Sequence, residues 1–178
     1  MDGKYFLMLS ELFEQFRLQA LMLLKDAEES GFLDELTGCY NRKAYDIRKT
    51  QLPEANVGVI FVDVNGLKQV NDKQGHKAGD VLLCNLGKML KAYFGGNDTF
   101  RVGGDEFVIF KVNIKPEVLK AIVDEFKLAI DTMHKTTVAI GYSLTSVDKH
   151  LEEAITEAEL KMYKNKLEFY EKFPECKR

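Results

Sequence analysis

The sequence has few cysteine, proline and histidine residues, three of each among 178, and no tryptophan. Cys39, Cys84 and Cys176 lie far apart and form neither a CxxC pair nor a Cys/His cluster. This argues against a disulfide framework and a zinc site, and it fits a reducing cytoplasm. The formal net charge of -3 also gives no broad attraction to nucleic acid or anionic lipid, so an anionic ligand would need a local site.

Long apolar runs are also absent near the amino terminus, where charged residues such as Glu11 and Arg17 interrupt the sequence. No signal peptide, membrane span or other membrane contact is therefore expected from this segment. Apolar residues instead recur at near-heptad spacing and predict an amphipathic helix that ends near Gly31. They are Tyr5, Leu9, Leu12, Phe16, Leu23 and Ala27. Packing on its own domain and dimerisation as a coiled coil explain this stripe equally well.

The rest of the chain alternates between β-rich and helical patterns. We predict helices over residues 41–47, 82–90, 116–130 and 151–169, and strands over residues 57–64, 99–102, 107–112 and 136–144. This order predicts an α+β fold, a ferredoxin-like or palm-type split βαβ unit with a central, largely antiparallel sheet and helices on one face. The domain boundary is expected at residue 30, with 1–30 as a linker or dimerisation helix and 31–178 as the main domain.

Three carboxylates are expected at neighbouring strand ends. Asp63 ends a nearly continuous apolar strand, and Asp105 and Glu106 follow Gly103 and Gly104 in the turn of a predicted hairpin. The glycines permit a positive φ and a close approach of a ligand to the backbone. A solvated acidic turn would explain residues 103–106 alone, but together with Asp63 they indicate an oxygen-ligand site suited to magnesium.

The segment after Asp63 reads as a loop rich in polar side chains. It contains Lys68, Asn71, Asp72, His76 and Asp80. A lysine suits phosphate, and a carboxylate such as Asp80 matches the N1 and N2 donors of guanine. Turn or capping residues would be the ordinary explanation of single members of this set, with Asp80 at a helix start as an example. No GxxxxGK[ST] loop and no GxSxG motif is present, so the residues alone indicate a metal-dependent nucleotide site of unknown reaction.

Three stretches resemble one known family. Residues 101–108, RVGGDEFV, resemble the signature of GGDEF domains, the catalytic modules of bacterial diguanylate cyclases. Residues 34–42, DELTGCYNR, resemble the family's DxLTxLxNR motif, and residues 63–80 resemble its DxDxFKxxNDxxGHxxGD block. The resemblance covers about residues 34–170 and is specific.

The resemblance implies an enzyme that joins two GTP molecules into cyclic di-GMP and releases two pyrophosphates. The metal-assisted 3′-hydroxyl of one GTP would attack the α-phosphate of the other. The implied site residues are Asp63, Asp105, Glu106 and the Val64 carbonyl for two Mg²⁺ or Mn²⁺ ions, Asn71 and Asp80 for guanine, Lys68 and Lys166 for phosphates, and Gly103 and Gly104 at the GTP. The alternatives are a catalytically silent module that senses GTP, and a cyclase that uses ATP, which Asp80 disfavours.

The resemblance also implies a homodimer, because each domain holds one GTP, and a sensor domain elsewhere in a longer protein. Several positions depart from the family pattern. Asn65 replaces the second Asp of DxD, Gly66 and Leu67 replace the usual x-Phe, and Tyr170 stands where a second phosphate-binding Arg is expected. Residues 94–98 stand where many members have the product-inhibition motif RxxD. Even with Asp98 taken as its acid after a one-residue shift, Gly95 occupies the Arg position, so no inhibitory product site is expected.

Overall fold

A computed structural model describes residues 31–53, 56–132, 138–146 and 150–174. The predicted amino-terminal helix lies outside the described residues. The strands are β1 (Val57–Val64), β2 (Thr99–Arg101), β3 (Glu106–Val112) and β4 (Val138–Leu144). The helices are α1 (Arg42–Gln51), α2 (Leu67–Gln74), α3 (His76–Phe94), α4 (Pro116–Thr132) and α5 (Leu151–Lys172), and a short 3₁₀ turn spans Gly96–Asp98. None of the described helices is long and apolar enough to cross a membrane.

The four strands form one sheet in the order β2-β3-β1-β4, and every neighbouring pair is antiparallel. The prediction of an α+β fold with an antiparallel sheet is therefore confirmed. The hairpin is also confirmed, because Arg101 of β2 pairs with Phe107 of β3 across the residues 102–106. The central strand β1 is buried along its whole length.

Helices cover both faces of the sheet, so the prediction of helices on one face was wrong. Ile60, Val62 and Val64 of β1 pack with apolar residues of α3 and α4. Val57, Val59 and Phe61, which point to the opposite face, pack with Tyr45 of α1 and with α5. A strand that is apolar at nearly every position has to be covered on both faces, and the run of residues 57–64 carried that information.

The polar segment after β1 is helical, which corrects its interpretation as a loop. Gly66 has a φ of 69° at the start of α2, and Gly75 has a φ of 83° between α2 and α3. Both glycines therefore act as helix boundaries at angles that L residues rarely adopt. Asp80 lies within α3, one turn after its first residue, rather than at a helix cap.

Helix α5 approaches the edge strand β4 so closely that their backbones are in contact. A Cβ atom at Gly141 of β4 would lie 2.1 Å from both the Ala158 carbonyl oxygen and the Met162 nitrogen. The Asn165 side chain of α5 also accepts a hydrogen bond from the Ile140 N–H at 2.9 Å. These two contacts determine where the last turns of α5 lie on the sheet.

Gly141→Ala is expected to lower the free energy of unfolding by about 2 to 3 kcal/mol, because the added methyl group meets backbone atoms that cannot move aside. Gly96→Ala is the control, since the nearest atom to its Cβ would be Lys91 Cδ at 3.9 Å. Urea unfolding of both variants measures the difference. Equal stability of the two variants would show that α5 can shift off β4 at little cost.

Candidate active site

Asp63 and Glu106 lie side by side at the ends of adjacent strands. They are register partners in the β1-β3 pair, and the Val64 N–H donates to the Asp105 carbonyl at 3.1 Å. Alternation along β1 and β3 directs Asp63 and Glu106 to the face that α5 covers. The sheet therefore brings together two of the three predicted carboxylates, and the third, Asp105, immediately precedes Glu106.

Lys166 of α5 is the partner of Asp63. Its Nζ donates to Asp63 Oδ2 at 2.6 Å, and the side chains of Lys166 and Asp63 are 18% and 3% exposed. The second oxygen, Asp63 Oδ1, is buried and has no hydrogen-bond partner among the residues that the structure describes. Burial raises the pKa of Asp63 to about 6; the bond from Lys166 opposes this rise, and the charges of Asp105 and Glu106 add to it.

Gly103, in the turn between β2 and β3, leaves room for the Glu106 side chain. A Cβ at Gly103 would lie 2.5 Å from Glu106 Oε2. Neither Gly103 nor Gly104 has a positive φ, so the expected use of that freedom is not observed. The Val102 N–H donates to the Glu106 carbonyl at 2.9 Å and closes the turn. A larger residue at position 103 would therefore displace the carboxylate of Glu106 from the place it occupies here.

Arg101 attaches this turn to the segment before α1, a function that the sequence patterns did not assign. Its guanidinium donates to both Asp34 oxygens, at 2.9 and 3.2 Å, and to the Gly104 carbonyl at 2.7 Å. Burial works against the ionised form of Asp34, but the hydrogen bonds from Thr37 and Arg101 lower its pKa overall. The signal for this pair was the presence of Asp34 and Arg101 in two of the family-like motifs.

The residues predicted to contact guanine lie on α2 and α3. The Asn71 side chain packs directly over Gly79, since a Cβ there would lie 2.0 Å from Asn71 Oδ1. That oxygen is buried and has no hydrogen-bond partner, whereas Asp80 and Lys68 are exposed. Asn71 and the first turns of α3 are thus in contact, but neither they nor Lys68 line the cavity that contains Asp63.

This cavity, of about 530 Å³, lies between the strand ends and α5. Three of the predicted site residues line it: Asp63, Glu106 and Lys166. Tyr170, which stands at the position of the family's second phosphate-binding Arg, also lines it. The remaining wall residues, all on α5, were not predicted as site residues: Glu159, Leu160, Met162, Tyr163 and Leu167. The signal in the sequence was the helical spacing of apolar residues at positions 160, 163 and 167. In the structure these side chains remain at least 41% exposed, so they do not pack into the core.

The carboxylates around this cavity are suitable ligands for a divalent cation. The partnerless Asp63 Oδ1 and the adjacent Glu106 supply the hard oxygen atoms that Mg²⁺ prefers. Within the ranges that the structure describes, however, no three acidic, histidine or cysteine side chains are arranged as a complete ligand set. Lys166 is the cation that contacts Asp63, at the carboxylate's other oxygen.

The stretch that corresponds to the family's product-inhibition motif has an internal partner. Asp98 accepts a hydrogen bond from Arg48 Nε of α1 at 2.7 Å. Gly95, at the position of the motif's arginine, has a φ of 86° and ends α3. Glycine at position 95 is therefore explained by the backbone angle at the end of the helix, which L residues rarely adopt.

Comparison with known proteins agrees with these observations. The family model for the diguanylate cyclase GGDEF domain matches residues 31–171. Diguanylate cyclase DgcN of Escherichia coli is 33% identical over 182 residues, which cover 89% of this chain and 42% of DgcN. Diguanylate cyclase DgcS of Shewanella oneidensis is 34% identical over 106 residues, which cover 54% of this chain and 36% of DgcS. The chain thus spans less than half the length of these relatives.

Solved structures show the same fold. The coiled coil and GGDEF domain of Caulobacter crescentus DgcB, in complex with c-di-GMP, has a TM-score of 0.76 at 19% identity, covering 89% of this chain and 92% of that one. A microbial GGDEF domain with bound cyclic di-GMP has a TM-score of 0.66 at 26% identity, covering 77% of this chain and 94% of that one. From the match over residues 31–171, the intact GGDEF turn and the shared fold, we conclude that the chain belongs to the GGDEF family of diguanylate cyclases.

Proposed function

We propose that this chain is a catalytically active diguanylate cyclase domain that condenses two GTP molecules into cyclic di-GMP. The observation that carries the proposal is the position of Asp63, which is buried beside Glu106 at the strand ends with one oxygen unpartnered. A buried carboxylate with a raised pKa is costly for stability, and such groups are concentrated at functional sites. Asp105 and Glu106 of the GGDEF turn are both retained beside it.

Asp63, Asp105, Glu106 and the Val64 carbonyl would hold the two metal ions. GGDEF diguanylate cyclases generally use Mg²⁺, which acts as a Lewis acid on the phosphates and on the attacking hydroxyl when it is bound. The protein's own contribution is to place Asp63 beside Glu106 and to exclude bulk water from its unpartnered oxygen. Lys166, in the same cavity, is the available cation for the triphosphate.

The first turns of α2 and α3 would bind the rest of the nucleotide. Helix α2 begins three residues after Val64, and the amino-terminal end of a helix favours phosphate. Lys68, its second residue, is exposed and adds a positive charge there. Asn71 and Asp80 would read the guanine edge, because Asp80 is an exposed acceptor next to the buried contact of Asn71 with Gly79.

GGDEF domains bind GTP and act as dimers, and the reaction requires two loaded domains that face each other. We infer that this chain dimerises when it is active and that residues 1–30 contribute to the dimer. Because the chain spans 42% of DgcN, we also infer that a sensor region accompanies it in a longer protein. A GTP-dependent enzyme of this kind would work in the cytoplasm, where its substrate is found.

A catalytically silent GTP sensor is the second candidate, and Tyr170 favours it. Tyr170 lines the cavity at the position where the family pattern has a second phosphate-binding Arg. A tyrosine supplies no positive charge to a triphosphate, so GTP binding relies more heavily on Lys68 and Lys166. Incubating the protein with GTP and Mg²⁺ and analysing the product by chromatography distinguishes a cyclase from a sensor.

Glu106→Gln is expected to reduce cyclic di-GMP formation at least about 100-fold, because the neutral amide stabilises neither metal nor transition-state charge as the carboxylate does. Glu125→Gln is the matched control, since Glu125 is exposed on α4, on the other face of the sheet. Product formation is followed by chromatography with GTP and Mg²⁺. Full activity of the Glu106 variant would refute the assignment of this carboxylate.

Asp63→Asn is expected to abolish activity but to stabilise the fold at neutral pH. The folded protein holds the Asp63 proton more tightly than the unfolded chain, so the carboxyl's stabilising contribution is full below about pH 4 and is lost by about pH 6. At pH 7.5 the variant should therefore gain up to about 3 kcal/mol, and the gain should vanish at pH 4. Urea unfolding at both pH values measures this, and a pH-independent effect would contradict it.

Asp80→Asn is expected to raise the KM for GTP by roughly 10-fold to 100-fold, because an amide cannot accept from both guanine donors as a carboxylate does. The preference for GTP over ITP, which lacks the 2-amino group, should shrink in the same variant. Asn85→Ala, an exposed change on the same helix, serves as the control. A lower kcat with an unchanged GTP/ITP ratio would remove Asp80 from the guanine site.

A further inference from the structure

The ion pair between Asp63 and Lys166 gives a hydrogen-bond partner to only one of the two oxygens of a buried carboxylate. Lys166 Nζ contacts Asp63 Oδ2 at 2.6 Å, while Asp63 Oδ1 is buried without a partner. A purely structural ion pair in such a buried position normally gains further hydrogen bonds for both oxygens, because an unsatisfied oxygen is costly. The geometry thus leaves one oxygen of Asp63 ready for a second positive ligand.

Asp63 lies among other negative charges as well as beside Lys166. Glu106 is the cross-strand neighbour of Asp63, and the charges of both Asp105 and Glu106 act on Asp63. Lys166 is the cation that contacts Asp63, and two further carboxylates raise the negative charge around that contact. If Lys166 left without a replacement, Asp63 would be an uncompensated buried charge, which proteins tolerate poorly. Any departure of the ammonium group has to be coupled to the arrival of another cation.

Lys166 extends a flexible side chain from a part of α5 that is held in place on β4. Helix α5 is held on β4 by the Asn165–Ile140 hydrogen bond and by the close approach at Gly141. The side chain of Lys166 reaches from this fixed point on a flexible four-carbon stem with rotatable donors. It also lines the 530 Å³ cavity, so an anion that enters the cavity comes within its reach.

We propose that Lys166 is a counterion that occupies the metal side of Asp63 until nucleotide binds. In this scheme, which rests on the proposed function, the lysine keeps free divalent metal from binding strongly at Asp63. Metal arriving with a triphosphate replaces the ammonium group at the carboxylate, and the phosphate oxygens become the new partners of Lys166. Metal and nucleotide therefore bind with positive coupling, each raising the affinity for the other.

Titration of nucleotide-free protein with Mn²⁺ alone, followed by electron paramagnetic resonance, tests this scheme. Lys166→Met removes the competing cation while it keeps an apolar stem of similar length. It should bind Mn²⁺ about 5-fold to 150-fold more tightly than the wild type, the usual range of coupling between two ligands. Lys164→Met, an exposed change on the same helix, should leave the affinity unchanged. Adding Asp63→Asn to Lys166→Met should abolish the gain.

Stability supplies a second measurement if Lys166→Met weakens the fold. Without metal, the variant should melt below the wild type, because Asp63 is left unpaired. Mn²⁺ should raise its melting temperature more than that of the wild type. In the wild type, α,β-methylene GTP should increase Mn²⁺ affinity, and this increase should be smaller in Lys166→Met. Lys166→Arg, which keeps the charge, should resemble the wild type in the titration.

Equal Mn²⁺ affinity of wild type and Lys166→Met would overturn the proposal, as would a gain that persists after Asp63→Asn. These results are distinct from a failure of the proposed function. If the wild type makes cyclic di-GMP from GTP but the two proteins bind Mn²⁺ equally, the cyclase assignment stands and the counterion scheme fails. If the wild type makes no product and binds no Mn²⁺ through Asp63 even with α,β-methylene GTP, both are wrong.

Discussion

The site depends on the burial of one carboxylate at the end of the central strand. Asp63 shares a strand with seven other buried residues, so its ionised form is tolerated only because Lys166 reaches it from α5. The same burial raises its pKa to about 6 and leaves its second oxygen unpartnered. Stability and chemistry are opposed at this residue, since an apolar side chain would pack better there but would bind no cation.

The placement of α5 is the second requirement, because it determines where the lysine begins. Backbone contact at Gly141 and the bond between Asn165 and the Ile140 N–H seat the helix on an edge strand. Met162 and Asn165, which make these contacts from α5, lie close to Lys166 in sequence. The helix thus serves two purposes: it covers the edge strand β4, and it supplies the cation at the end of β1.

The GGDEF turn is held from its other side by a separate ion pair. Arg101 connects Asp34 to the Gly104 carbonyl, so the turn is attached to the segment before α1 as well as to β1. The conformation of the turn therefore depends on residues nearly seventy positions away in sequence. The motif's acids are positioned by this framework and by the pairing of Asp63 with Glu106, rather than by the turn alone.

Periodicity and local chemistry determined much of this protein from the sequence. The strands, the antiparallel order and the carboxylates at the strand ends followed from patterns within short windows, because alternation and turn residues act locally. Tertiary structure decided what those windows do not contain. The pairing of Lys166 with Asp63 joins residues 103 positions apart, and the helical state of residues 67–80 depends on the positive φ angles of Gly66 and Gly75. The apolar run of residues 57–64 indicated that both sheet faces are covered, but only the tertiary structure decided which helices cover each face, because that packing joins distant elements.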